Sequence, residues 1–324
     1  MIVLKSFWAK TERSLAFNRE ILPRLKKELQ VLQKILNKHI VCVYGVVKWA
    51  GSMGLVLEYM PGGNLSQFID DDDDNIRSSM LLFLRIFYEL SSAVAFIHNL
   101  PDSQRVVHGD LKPENALLTS DLHCKLSDFG SAQVVALTGS TTSESIKPKT
   151  SGMTLAFAAP EKLKSLNTKP KKEHDTYSFG MILYVILSGS RPYQHPDHEN
   201  AFAESIKRGE RPEEITIDER RVTLSQPRQQ ILDVLQSIMR KCWTQDPSHR
   251  PNMLKVRDGL QSVIDQHRGV DILTEVTEML RCMSLNVPRK HEQQFLPLHH
   301  FLVKEQRFMQ GLVFLSAHVV SQYD

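Results

Sequence analysis

The sequence predicts an α+β protein in which a small sheet with one helix is followed by a larger, mostly helical part. Three observations carry that expectation. β-branched and apolar residues crowd much of the first sixty positions, apolar residues at helical spacing take over from Met80, and only two short strand-like pieces interrupt the helical region.

Taken in order, "MIVLKSF" reads as a strand because it is β-branched and apolar with a single charge. From about Pro23 to Asn37, Leu25, Leu29, Leu32, Ile35 and Leu36 recur on one helical face. "IVCVYGVVKWAGSMGLVLEYM" reads as two strands joined by a Gly-Ser turn at Gly51–Gly54, and "PGGN" at 61–64 breaks the pattern. Met80 to Leu100 is helical in character. Ala116–Thr119 and Cys124–Leu126 flank "SDLH" as a small hairpin. "YSFGMILYVIL" (177–187) is apolar on every side, as a helix in a domain centre must be. Residues 138–154 are dense in Ser and Thr and read as a long loop, and the acidic run "IDDDDDNIR" (69–77) reads as a solvated one. Residues 264–324, with patterns such as "DILTEVTEMLRCM", read as a helical extension of unknown role.

Composition narrows the function classes. With 324 residues the chain can bury an ample core, and 41% hydrophobic and 24% charged residues are ordinary for a globular protein. A formal net charge of +3 is too small for this length to point to nucleic acid or an anionic membrane. The four cysteines are scattered without a C-x-x-C pair, which suits reduced thiols better than a disulfide framework or a zinc site. Met80–Leu84 and Phe179–Leu187, the most apolar runs, fall well short of the ~20 residues a membrane span needs. The expectation is a cytoplasmic protein without a membrane span.

The informative stretch is "VVHGDLKPENALL" (106–118), which sets His108, Asp110, Lys112, Glu114 and Asn115 between two apolar runs. Such groups are expensive to bury without partners, so their grouping asks for a purpose. A carboxylate such as Asp110 can orient or deprotonate a hydroxyl, the Lys112 ammonium can stabilise a transferring phosphate, and the Asn115 amide oxygen can bind a hard cation. Asp128 in "SDFG" follows Asp110 by 18 residues, after the hairpin, where the chain can return a second carboxylate to the first. Glu28 sits on the apolar stripe of its helix, and the preceding strand offers Lys5 as its cation. On position alone, Glu28 is equally a helix-surface glutamate.

The ordered set resembles the eukaryotic protein kinase family. "HGDLKPEN" is similar to the family's catalytic loop, usually His-Arg-Asp-Leu-Lys-x-x-Asn, and the spacing to "DFG" agrees. "AAPE" (158–161) resembles the motif ending the activation segment, "DTYSFG" (175–180) the start of the buried central helix, and "CWTQDPSHRP" (242–251) the late motif whose arginine, here Arg250, pairs with Glu161. The resemblance covers roughly residues 1–263. It implies a two-lobed kinase fold, with 1–60 as an incomplete small lobe, 61–263 as the large lobe and 264–324 outside it.

It also implies roles: Asp110 orients the substrate hydroxyl, Lys112 contacts the transferring phosphate, and Asn115 and Asp128 hold Mg²⁺. Lys5, paired with Glu28, holds the α- and β-phosphates of ATP. The backbone of Glu58 and Met60 binds the adenine edge, Leu57 lies at the back of that pocket, and Leu117 packs beneath the ring. Lys112 and Thr154 resemble serine/threonine kinases, whereas "DTYSFGMILYVILSG" and the Cys-Trp pair also resemble tyrosine kinases. The tyrosine-kinase-like serine/threonine group, with its receptor-interacting and mixed-lineage types, accommodates both. The implied partners are a protein substrate and proteins of signalling complexes.

Two departures stand out. No G-x-G-x-x-G occurs anywhere, and "GSMG" (51–54) comes after the helix, so the strand pair and glycine-rich loop that cover ATP phosphates in the family are missing before Lys5. Either the sequence is a fragment, which the intact remainder of the set favours, or it is a truncated protein that binds partners as a catalytically impaired scaffold. Gly109 replaces the arginine that clamps a phosphate on the activation segment. Activity independent of phosphorylation at 138–151 is the expectation.

Overall fold

The apolar amino-terminal run forms strand β1 (Ile2–Phe7) and the amphipathic stretch after it forms helix α1 (Leu22–Leu32). The computed structural model describes residues 2–7, 22–49, 52–70, 80–101, 105–134, 155–164, 170–190, 192–193, 199–212, 226–267 and 312–314. Strands β2 (Val43–Trp49) and β3 (Ser52–Glu58) form an antiparallel pair, with a register shift between Val43 and Gly45. Trp49 pairs with Ser52, so β3 begins inside the stretch Gly51–Gly54 that was expected to form the turn. β1 lies on the other side of β3, with Lys5 opposite Leu55 and Val3 opposite Leu57.

The larger part begins with helix α2 (Leu65–Asp70) and the long α3 (Met80–His98). Two small sheets follow. β4 (Val106–Val107) pairs with β7 (Gln133–Val134), and β5 (Ala116–Leu118) pairs with β6 (Cys124–Leu126) as the expected hairpin. Then come α4 (Pro160–Lys164), α5 (Lys172–Ser188), α6 (Glu199–Arg208), α7 (Gln226–Cys242) and α8 (Met253–Gln266). The loop at 138–154 and most of the acidic run lie outside the described residues.

The core is centred on α3 and α5. Phe87 and Phe179, both fully buried, meet edge to face with ring centroids 6.4 Å apart. Gly180 lets α5 approach α7 closely, since a Cβ there would stand 2.9 Å from the Cys242 Cβ and 3.2 Å from the Trp243 amide nitrogen. α3 is the one helix among the described residues long and apolar enough to cross a membrane, and 72% of its most apolar window is buried inside the fold. Inspection for unbroken apolar runs missed it because Arg85 and Glu89 interrupt the pattern. Both are used locally: Arg85 donates to the carbonyls of Asp121 and Leu122, and Glu89 accepts from the Cys124 amide at 2.7 Å.

The described residues of the expected extension are 264–267, where α8 ends, and strand β8 (Leu312–Phe314), which pairs antiparallel with β2 and completes a sheet of order β1-β3-β2-β8. Leu, Val and Phe suit a strand, and without β8 the outer side of β2 would present unpaired backbone groups. Helical patterning at 264–285 said nothing of this segment. The small lobe is thus a four-stranded sheet with α1, and the large lobe is mostly helical, as predicted.

Candidate active site

The site is built on a buried carboxylate. Asp175, in the first turn of α5, is 1% exposed and accepts hydrogen bonds from the amides of His108 and Gly109, both at 2.8 Å, and pairs with His98 Nε2 at 2.7 Å. Burial alone would raise its pKa, but the His98 hydrogen bond, the neighbouring histidines and the Gly109 amide hold the carboxyl below its ordinary value. An ionised group in the domain centre therefore fixes the backbone immediately before Asp110.

From that anchor the 108–115 loop folds back on itself. Lys112 Nζ lies 3.1 Å from Asp110 Oδ2, and Asn115 Nδ2 donates to the Asp110 carbonyl at 2.7 Å and to its Oδ2 at 3.4 Å. Lys112 and Asp110 are about one-fifth exposed, whereas Asn115 is 5% exposed. Since its nitrogen is held by Asp110, the Asn115 amide is oriented with Oδ1 as the atom left to meet a cation. The His108 ring accepts from the Asp110 amide at Nδ1 and meets the Ser127 carbonyl through Nε2 at 2.9 Å, which assigns the proton to Nε2.

Besides that His108 bond, three further contacts join this loop to the turn bearing Asp128. The Ser127 amide and hydroxyl both donate to the Asn115 carbonyl, at 2.8 and 3.0 Å. His108 packs edge to face on the fully buried Phe129, centroids 5.0 Å apart. Asp128 adopts φ 58°, a conformation rare outside glycine, and its Oδ1 accepts from the Gly130 amide at 3.2 Å. Glu28 reaches the same turn. It is 1% exposed, and a Cβ on Gly130 would lie 3.1 Å from Asp128 Oδ1 and 3.7 Å from Glu28 Oε2. The expectation that Glu28 points inward is met. Lys5 sits mid-strand in β1, but its side chain, like Thr154, lies outside the described residues, and so does the predicted Lys5–Glu28 pair.

The connection between lobes is equally specific. Leu57 and Glu58 end β3; the Glu58 amide donates to the Cys42 carbonyl at 2.9 Å, while its carboxylate meets Lys125 Nζ at 2.5 Å and the Cys42 amide at 3.2 Å. The Met60 carbonyl accepts from the Gly63 amide at 3.2 Å. Leu117 in β5, half-buried, bridges to Asn64 just beyond this connection. Farther out, Arg250 binds Glu161 through both terminal guanidinium nitrogens, at 2.7 and 2.9 Å.

A profile of the protein kinase domain matches residues 5–260. The chain belongs to the protein kinase family. Among curated relatives, it is 30% identical over 234 residues to the human "Receptor-interacting serine/threonine-protein kinase 1", covering 70% of this chain and 32% of that protein. It is 26% identical to the bovine "Receptor-interacting serine/threonine-protein kinase 2", covering 81% of this chain and 47% of the relative. It is 31% identical to the mouse "Ankyrin repeat and protein kinase domain-containing protein 1", covering 82% and 34%. The chain thus spans a third to a half of these relatives. Receptor-interacting kinases are what the tyrosine-kinase-like reading predicted.

Sequence reasoning missed Asp175 as the anchor, although it opens the quoted "DTYSFG"; no spacing rule shows that its carboxylate turns toward His108. It also missed His98, which closes α3, and the Glu58–Lys125 pair that ties the connection to β6.

Proposed function

We propose that this kinase domain transfers the γ-phosphate of ATP, with Mg²⁺, to serine or threonine hydroxyls of protein substrates in intracellular signalling. The observation that carries the reading is the cluster of Asp110, Lys112 and Asn115, joined through Ser127 to the turn of Asp128 and Glu28. A hard-cation site fits these residues: one carboxylate and one oriented amide oxygen suit Mg²⁺, which takes few protein ligands and completes its shell with phosphate and water. Bound between Asn115 and Asp128, Mg²⁺ would neutralise phosphate charge.

In this reading the chain's own residues do the positioning. Asp110 accepts the hydrogen bond of the attacking hydroxyl, and Lys112, kept beside it, offsets charge on the transferred group. Lys5 reaches the α- and β-phosphates, braced by Glu28. The Met60 amide, whose carbonyl is already engaged, and the Glu58 carbonyl meet the adenine edge, between Leu57 behind and Leu117 beneath. A catalytically impaired scaffold that binds protein partners is the second reading.

The test is mass-spectrometric detection of phosphoserine and phosphothreonine in a generic basic protein incubated with the chain and MgATP. The kinase reading expects both with the wild type and background with Asp128→Ala. Tight MgATP binding with background from both would leave the scaffold.

A further inference from the structure

We propose that Lys162 is a positioning residue for phosphoryl transfer, holding the loop of Asp110 by its backbone. This deepens the kinase reading and rests on it. Gly109, directly before Asp110, has φ +77° and no side chain with which to reach a neighbour. Its two backbone polar groups are gripped from opposite partners: the amide donates to Asp175 Oδ1 at 2.8 Å, and the carbonyl accepts from Lys162 Nζ at 2.5 Å. Both are charge-assisted bonds, the stronger class.

Lys162 is itself well placed to transmit order. It lies in α4, one residue after Glu161, which Arg250 holds with two parallel hydrogen bonds while also donating to the carbonyls of Glu173 and Thr244. The Arg250 side chain is fully buried. A rigid anchor thus ends one residue short of Lys162, and Lys162 ends on the residue before Asp110. The peptide plane between Gly109 and Asp110 carries the bonded carbonyl, so the Lys162 ammonium directly restrains the orientation from which the Asp110 side chain departs. Positioning of this kind acts on turnover rather than on nucleotide binding, because the proposed adenine contacts at Glu58, Met60 and Leu117 share no bond with Lys162.

The experiment compares wild type, Lys162→Met, Lys162→Arg and Asp110→Asn as the full chain, measuring kcat and KM for ATP with the generic basic protein, and hydrogen exchange of the 106–118 peptide. Methionine keeps the stem and removes the donor; arginine restores a cationic donor. Lys162→Met is expected to lower kcat about 10- to 100-fold, with KM for ATP within about twofold, and Lys162→Arg to recover most of the loss. Exchange in 106–118 should quicken by about fivefold in the methionine variant and return to wild type with arginine. Unchanged kcat and exchange in Lys162→Met, or equal losses in both variants, overturn the proposal. If wild type transfers no more phosphate than Asp110→Asn, the kinase reading fails, and the exchange comparison alone then decides whether Lys162 orders the loop.

Discussion

Arg250 and Glu161 form a two-pronged ion pair, 2.7 and 2.9 Å, between residues 89 apart in sequence, with the arginine side chain sealed from solvent. Arg250 also lies 5.0 Å over the ring of buried Tyr177. Removing Glu161 leaves an uncompensated cation inside the fold. Glu161→Ala should therefore lose about 3–5 kcal/mol in urea unfolding. A loss below about 1 kcal/mol would mean that the pair is only a surface contact.

Gly180 gives a prediction whose sign separates local from tertiary control. In a helix interior, alanine is favoured over glycine by about 1 kcal/mol, so propensity alone makes Gly180→Ala stabilising. The close approach to Cys242 and Trp243 reverses that, because backbone or packed atoms must shift to admit a methyl group. The variant should be destabilised by about 1–3 kcal/mol, read from its unfolding midpoint. Stabilisation would show that α5 and α7 are looser than described.

Two buried histidines set the acid side of stability. Burial depresses His39 and His174 below their ordinary 6.5, against the pull of Glu89 and Glu161 respectively. The unfolded chain then binds more protons as pH falls through 6.5, so this stability is complete above that pH and is lost on acidification toward the depressed folded values. The melting temperature should be level above pH 7 and decline below 6.5. His39→Gln and His174→Gln, which cannot take up the proton, should flatten that decline; an unaltered slope in both would assign it elsewhere.

The β8 strand supplies a backbone test. In an antiparallel ladder alternate residues direct their amides to one neighbour, so proline either at Val313 or at Leu312 and Phe314 together must remove ladder bonds to β2. One of these two variants should speed hydrogen exchange at Gly45–Val47, and the other should change it little. No effect from either would detach the segment from the sheet.

The fold was legible wherever local periodicity and tertiary need agreed. β1, β2, β3, α1, α3, the 116–126 hairpin and α5 each carried their own pattern. The site was legible as an ordered set, since Asp110, Lys112, Asn115 and Asp128 lie within nineteen residues joined by that hairpin. What escaped depends on distant pairing. Asp175 is a first-turn acid like many others until its partners His98, His108 and Gly109 are placed around it. Lys162 reads as an ordinary basic residue in "EKLK", and β8 is three residues whose strand exists only because β2 offers an edge. The four scattered cysteines were read as thiols, and the three described are free; burial lifts Cys242 to about 12 and Cys124 higher still, so neither is a nucleophile at neutral pH.

The most direct test of the account is the rate of γ-phosphate transfer by wild type and Asp110→Asn, with MgATP affinity measured on the same samples. Asparagine keeps the shape of Asp110 while removing the acceptor charge beside Lys112. The account predicts a fall in rate of at least about 100-fold with affinity within about threefold. Equal rates in the two proteins would contradict it.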